Sequence, residues 1–104
     1  MQIFLYLILA VLFEVAGTTS MKLSNGFDET LPSILIFVFY TFSFIFLTLS
    51  LKHLEISFAY AVWAGLGTFL IALIGVFYFH EPVTVTKILS LVLIIVGVIG
   101  LKAA

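Results

Sequence analysis

Four long apolar runs, divided by three short polar stretches, account for nearly all of the chain. They cover residues 3–21, 33–51, 56–79 and 83–101. Each is close to the roughly 20 residues that a membrane-spanning helix needs. A transmembrane strand is about ten residues of alternating polarity, whereas these runs are continuous and about twice as long, so the pattern predicts helices. The first divider runs from Lys22 to Pro32 and holds Asn25-Gly26, Asp28 and Glu29: turn residues, charges and a helix-starting proline. The second is Lys52-His53-Leu54-Glu55, and the third is His80-Glu81-Pro82. Lys87 is near enough to the start of the fourth run to snorkel outward. No divider is long enough for a soluble domain. The expectation is an all-α membrane protein with one four-helix transmembrane domain over residues 1–104, its function inside the helices.

Composition sharpens this reading. Of 104 residues, 64% are hydrophobic and 9% charged, and the mean hydropathy is +1.41. A soluble domain of this size would need far more polar surface. A net charge of −1 argues against a nucleic-acid partner, which calls for a basic face. There are no cysteines for disulfides or thiolate metal sites. The first run has neither a basic leader nor a small-residue cleavage site before it, which predicts a retained span. The partner these features imply is the lipid bilayer.

Glu14 is the only charged side chain in the first run. At about 1.5 Å per residue it lies roughly 16 Å beyond Ile3, near mid-depth. A charge there costs roughly 2.5–3.5 kcal/mol by insertion scales, and an acid so placed is a functional-site candidate for a cation, a proton, or each in turn. Ala10, Gly17 and Thr18 share its helix face at i−4, i+3 and i+4. Those small residues suit either a ligand or close helix packing. On the third run, Tyr60 and Trp63 share a face at i and i+3; aromatic faces attract cations, Trp best of all. Tyr40 and Ser43 are the polar candidates on the phenylalanine-rich second run, while Thr41 and Thr48 are expected to bond back to their own helix. Gly65 and Gly67 weaken the middle of the third helix, where a hinge or a close packing contact is expected. His53 and His80 fall in dividers with no companion ligands at metal spacing. No nucleophile–base pair, metal cluster or phosphate loop is present, so neither an enzyme nor a cofactor is expected.

Four spans place Lys52 and Lys102 on one side and Lys22 and Lys87 on the other. With no positive-inside bias, copies are expected to insert both ways up. Four helices alone are too few to enclose a route, so a dimer is expected. Ser90 and Gly97, seven apart on one face with Gly100 following, offer the fourth helix a close-contact surface.

These residues resemble the small multidrug resistance family of bacterial exporters. The likeness spans essentially the whole chain: Glu14-Val15-Ala16-Gly17-Thr18-Thr19 with Met21-Lys22, then Ser24-Asn25-Gly26-Phe27, Pro32-Ser33, and Ala59-Tyr60-Ala61-Val62-Trp63 with Gly65 and Gly67. The resemblance implies an antiparallel homodimer of four-helix subunits in the bacterial inner (plasma) membrane. It implies proton-coupled export of small cations, with the paired Glu14 carboxylates as shared proton and substrate site and Tyr40, Tyr60 and Trp63 around them. Ala16 stands where guanidinium exporters of the family carry Trp, which resembles instead the quaternary-ammonium and multidrug subtype. Glu55 stands where a proline is common, and Ser90 where a glycine is common in the dimer motif. Export of guanidinium or polyamines, or service as one subunit of a heterodimeric pair, stays open, as do an inert membrane subunit and a small-cation channel.

Overall fold

The computed structural model describes residues 2–103. It contains four helices, α1 (Gln2–Leu23), α2 (Thr30–Ser50), α3 (Ile56–Phe77) and α4 (Val85–Ala103). Their lengths of 19 to 22 residues correspond to about 28–33 Å, the span of a hydrocarbon layer. All four are long and apolar enough to cross a membrane. Helices satisfy every backbone group internally, which lipid cannot do for them.

Two helix starts differ from the expected ones. α2 begins three residues before Ser33 because Pro32 sits in its first turn, where no N–H is needed. Ser33 then donates both its amide (3.1 Å) and its hydroxyl (2.6 Å) to the Glu29 carbonyl. At the other end of the chain, Pro82 and Val83 remain in the connection and α4 begins at Val85, with the Lys87 amide taken by Thr84 Oγ1 at 3.0 Å. The α1–α2 connection turns through three consecutive left-handed residues, Asn25, Gly26 and Phe27, with φ of 50°, 68° and 71°. Ser24 holds this turn: its hydroxyl donates to Met21 O at 2.8 Å and accepts the Phe27 amide at 3.3 Å. The Phe27 ring stacks on Phe37, at a centroid distance of 6.4 Å.

α1 lies between α2 and α3, and α4 stands beside α3. The buried apolar side chains are Leu7, Ala10, Val11 and Val15 of α1, with Ile36 of α2 and Ala59 of α3. Along the α1–α2 seam, Phe13 packs against Phe42 and Phe46 at 5.4 and 5.8 Å between centroids. Three helices thus form a wedge, with α4 packed on its α3 side. No residue of α4 is buried. α4 meets α3 where Gly65 lets it approach: a Cβ there would lie 2.8 Å from Val98 and 3.1 Å from Ile94. Its far end is pinned by Lys102, whose ammonium sits 5.2 Å from the Phe4 ring centroid and 5.6 Å from that of Phe58. Ser90, Gly97 and Gly100 are all exposed.

Candidate functional site

Glu14 reaches mid-depth on α1 between α2 and α3, and its two carboxylate oxygens meet different surroundings. Oε1 accepts a hydrogen bond from Thr18 Oγ1 at 2.9 Å, one turn further along α1. Thr18 has one proton, and Glu14 takes it, so the Tyr40 hydroxyl at 2.5 Å donates to Thr18. Tyr40 also lies a long 3.4 Å from Oε1. Oε2 is buried and has no hydrogen-bond partner. It rests on α3 at Gly67, where a Cβ would stand 2.7 Å from it. One oxygen is thus provided with a donor, while the other faces bare backbone. A buried acceptor without a partner costs about 1–3 kcal/mol, more when charged, and a proton or a bound cation is what would satisfy it.

Tyr40 owes its position to Gly17. A Cβ at residue 17 would lie 2.7 Å from two ring carbons of Tyr40, so the small residue beside Glu14 is filled by the α2 aromatic. Of the two roles open to Gly17, the structure displays close packing. Ala10 and Ser43, expected to line the site, are both fully buried, at 0% exposure. The Ser43 hydroxyl donates to Ala10 O at 2.6 Å and accepts from Trp63 Nε1 at 2.9 Å. That relay crosses three helices and fixes the indole. Thr41 and Thr48 bond back to Phe37 O and Phe44 O, each at 2.7 Å.

The indole in turn organises an aromatic array. Trp63 lies 5.7 Å from Tyr60 and 6.1 Å from Phe44, and Phe44 lies 5.7 Å from Tyr40. Tyr60 is 59% exposed, so it forms the open rim of the array while Tyr40 forms its inner end. Phe44 escaped the sequence reading, although its i+4 spacing from Tyr40 put it on the same face. Gly65 and Gly67 both lie within the continuous helix α3. One admits α4 and the other admits the Glu14 carboxylate. Ser90 and Gly97 are remote from Glu14, and no atom lies within 4 Å of a Cβ built at Gly97.

The site is therefore a half-buried carboxylate with one unsatisfied oxygen, joined at Tyr40 to a chain of aromatic side chains. The sequence profile of the Small Multidrug Resistance protein family matches residues 2–94. An uncharacterized membrane protein of Bacillus subtilis (strain 168), YvaE, is 53% identical over 97 residues, covering 93% of this chain and 82% of its own. The multidrug resistance protein EbrB of Bacillus licheniformis is 46% identical over 99 residues, covering 95% of this chain and 83% of its own. The quaternary ammonium compound-resistance protein QacC of Staphylococcus aureus is 39% identical over 99 residues, covering 95% of this chain and 92% of its own. With four helices able to span a membrane and a family profile covering nearly all of its length, the chain belongs to the Small Multidrug Resistance family.

Proposed function

We propose that the protein is a proton-coupled antiporter that exports lipophilic and quaternary ammonium cations across the bacterial plasma membrane. The observation that carries this reading is the orphaned Oε2 on a carboxylate whose other oxygen meets Tyr40, the inner end of the aromatic array that leads to Trp63 and Tyr60. A cation without N–H donors is stabilised by charge and by aromatic faces rather than by hydrogen bonds. Relatives whose names refer to quaternary ammonium and multidrug resistance support the substrate class, as does the small Ala16 two positions after the acid.

The working unit of this proposal is an antiparallel homodimer, one copy inserted each way up. The exposed Ser90–Gly97 face of α4 supplies its contact surface, and the balanced lysines favour neither orientation. Each copy contributes one Glu14. The deprotonated pair binds one cation; protons displace it, because both satisfy the same oxygens. Inward proton flow then drives cation efflux, and the protein alternates its opening through the Gly65–Gly67 stretch of α3.

The test is electrical recording and pH-driven uptake on reconstituted protein, comparing a quaternary ammonium, guanidinium and a polyamine. Cation affinity is expected to weaken as pH falls, since protonated Glu14 has no charge to offer. Glu14→Gln is expected to abolish coupling while the protein stays folded. Coupled uptake surviving in that variant refutes the shared site. Guanidinium currents without a quaternary ammonium response reassign the subtype, and flux without pH dependence makes the protein a channel.

A further inference from the structure

A second polar feature lies between α1 and α3, on the side of Glu14 towards Lys22. It is a half-open cavity of about 180 Å³, lined on α1 by Thr18, Thr19 and Lys22 and from the α3–α4 connection by Glu81. The innermost of these, Thr18, is the residue that hydrogen-bonds Glu14. Four residues separate Thr18 from Lys22, so the cavity covers about 6 Å of helix, and Thr18 links its inner end to the buried acid.

Thr19 is the telling member. Ser20, Thr41, Thr48 and Thr68 each return their hydroxyl to the carbonyl four residues back, at 2.7–2.9 Å. Thr19 does not: its Oγ1 is buried and without a partner. A buried hydroxyl that forgoes its own helix carbonyl, among the few polar groups of a mainly apolar cavity wall, is placed to bond water there. The volume is roughly ten times what one water needs.

Glu81 is held at the mouth by the backbone rather than by a strong ion pair. His80 adopts φ 59°, a left-handed conformation unfavourable for a residue with a side chain. The chain then turns back over α3, where the Glu81 amide donates to Gly75 O at 2.9 Å. The Glu81 carboxylate lies directly on Gly75, in space that a Cβ there would occupy. It is 49% exposed, and the Lys87 ammonium is 3.8 Å away, closer to Pro82 O at 2.9 Å. The ionisable groups around Glu81 are Lys22 on α1, Lys87 on α4 and His80 beside it; α3 lines the cavity with Ile71, Ile74 and Gly75 alone. Glu81 is therefore the one acid lining this cavity, between two lysines.

We propose that this cavity is the proton route to Glu14, with Glu81 as the outer carboxylate and the Thr19 and Thr18 hydroxyls as inner steps. The inference rests on the reading of Glu14 as a proton carrier. A proton taken up by Glu81 passes to cavity water. Thr18 then gives its hydroxyl proton to Glu14 Oε1 and receives one from the cavity side, so one O–H bond breaks for each that forms. The cation does not share this route; it meets Glu14 from the Trp63–Tyr60 side. In an antiparallel pair the two mouths open on opposite sides of the membrane, one proton route for each.

The experiment is a stopped-flow measurement of proton release when tetraphenylphosphonium is added to purified protein, alongside equilibrium affinity read from Trp63 fluorescence. Glu81→Gln and Thr19→Val are expected to slow proton release at least tenfold, with the number of protons and the cation affinity unchanged. Gly75→Ala, which keeps the acid but displaces it, is expected to slow release too. Lys87→Gln, which removes the ion pair and keeps the carboxylate, is expected to match the wild type. Added formate, a small diffusible acid, is expected to restore the rate in Glu81→Gln. Wild-type rates in both Glu81→Gln and Thr19→Val overturn the proton route, as does a loss of cation affinity that parallels the loss of rate. A wild-type protein that releases no proton on binding the cation overturns the antiporter reading itself, and this inference with it.

Discussion

Ser43→Ala tests whether the indole of Trp63 is held from behind or shaped by the substrate. Ser43 Oγ is the middle of a chain from Trp63 Nε1 (2.9 Å) to Ala10 O (2.6 Å), at a position with no exposure. Alanine removes one oxygen and with it both bonds. Interhelical hydrogen bonds in membranes average about 0.6 kcal/mol each, so the pair comes to about 1.2 kcal/mol. The Ala10 carbonyl keeps its place in the helix ladder. The indole N–H has no such second partner, and leaving it unpaired raises the expected loss towards ~3 kcal/mol. Stability is therefore expected to fall by about 1–3 kcal/mol in a denaturation titration.

Trp63 is the chain's only tryptophan, so its emission reports the same event without interference. Ser43→Ala is expected to shift the emission and lower its anisotropy as the ring gains freedom. If Ser43 acts only through Trp63, affinity for every cation falls by a similar factor. A protein with unchanged emission and unchanged stability would refute the relay. A loss confined to one substrate would show that Ser43 touches the cation itself.

Three further outcomes follow from the packing. Gly67→Ala places a Cβ 2.7 Å from Glu14 Oε2, about 0.7 Å inside ordinary contact at 3.4 Å; despite alanine's better helix propensity of ~1 kcal/mol, cation affinity is expected to fall and its pH dependence to move, both read by fluorescence titration. Lys102→Gln removes the ammonium from the Phe4 and Phe58 rings; a stability loss of about 0.5–1 kcal/mol without a change in coupling is expected from thermal unfolding and pH-jump uptake. Gly97→Val adds a side chain where a single subunit has open space, so secondary structure measured by circular dichroism stays intact while self-association measured by crosslinking weakens by roughly tenfold, ~1.4 kcal/mol; undiminished crosslinking removes α4 from the dimer surface.

The helices and the acid were legible in the sequence because each is a property of one segment. An apolar run of about 20 residues needs no partner to be recognised, and a lone carboxylate inside one stands out for the same reason. Tyr60 and Trp63 could be paired from i, i+3 spacing alone, and the rings do meet at 5.7 Å. What the sequence withheld are the contacts between helices. These segments are apolar on every side, since lipid and protein neighbours favour the same side chains. No polar face therefore marks which side of α2 turns inward, and nothing announced that Ser43 rather than Thr41 would cross to α1. The same blindness hid the place of α4, whose small residues look alike whether they face α3, lipid or a second copy. Gly67 read as a weakness in a helix because the reason for it, the Glu14 carboxylate, lies 53 residues away on another one.

The asymmetry around Glu14 matters more than its burial. A carboxylate whose oxygens were both fully hydrogen-bonded would have little to gain from a cation, and an exchanger built on it would stall in the empty anionic state. A carboxylate with no donors at all would rarely give up its proton. Here Thr18 supports one oxygen, backed by Tyr40, while Gly67 leaves the other bare. In the proposed exchange, proton and cation compete for the single negative charge of this carboxylate, whose Oε1 stays linked to Thr18. Anchoring fixes the direction in which the bare oxygen points, and the Ser43–Trp63 hydrogen bond fixes the indole. In that proposal the Thr18 donor on Oε1 keeps the anion accessible, and the bare Oε2 keeps it unsatisfied until a cation or a proton arrives. Supplying Oε2 with a donor from Gly67, as Gly67→Ser would, is expected to make the site bind cations more weakly for two reasons at once: a displaced carboxylate and a satisfied one. Fluorescence titration of Gly67→Ser beside Gly67→Ala separates them, because the alanine only displaces. Equal losses in the two variants would remove hydrogen-bond satisfaction from the explanation and leave sterics alone.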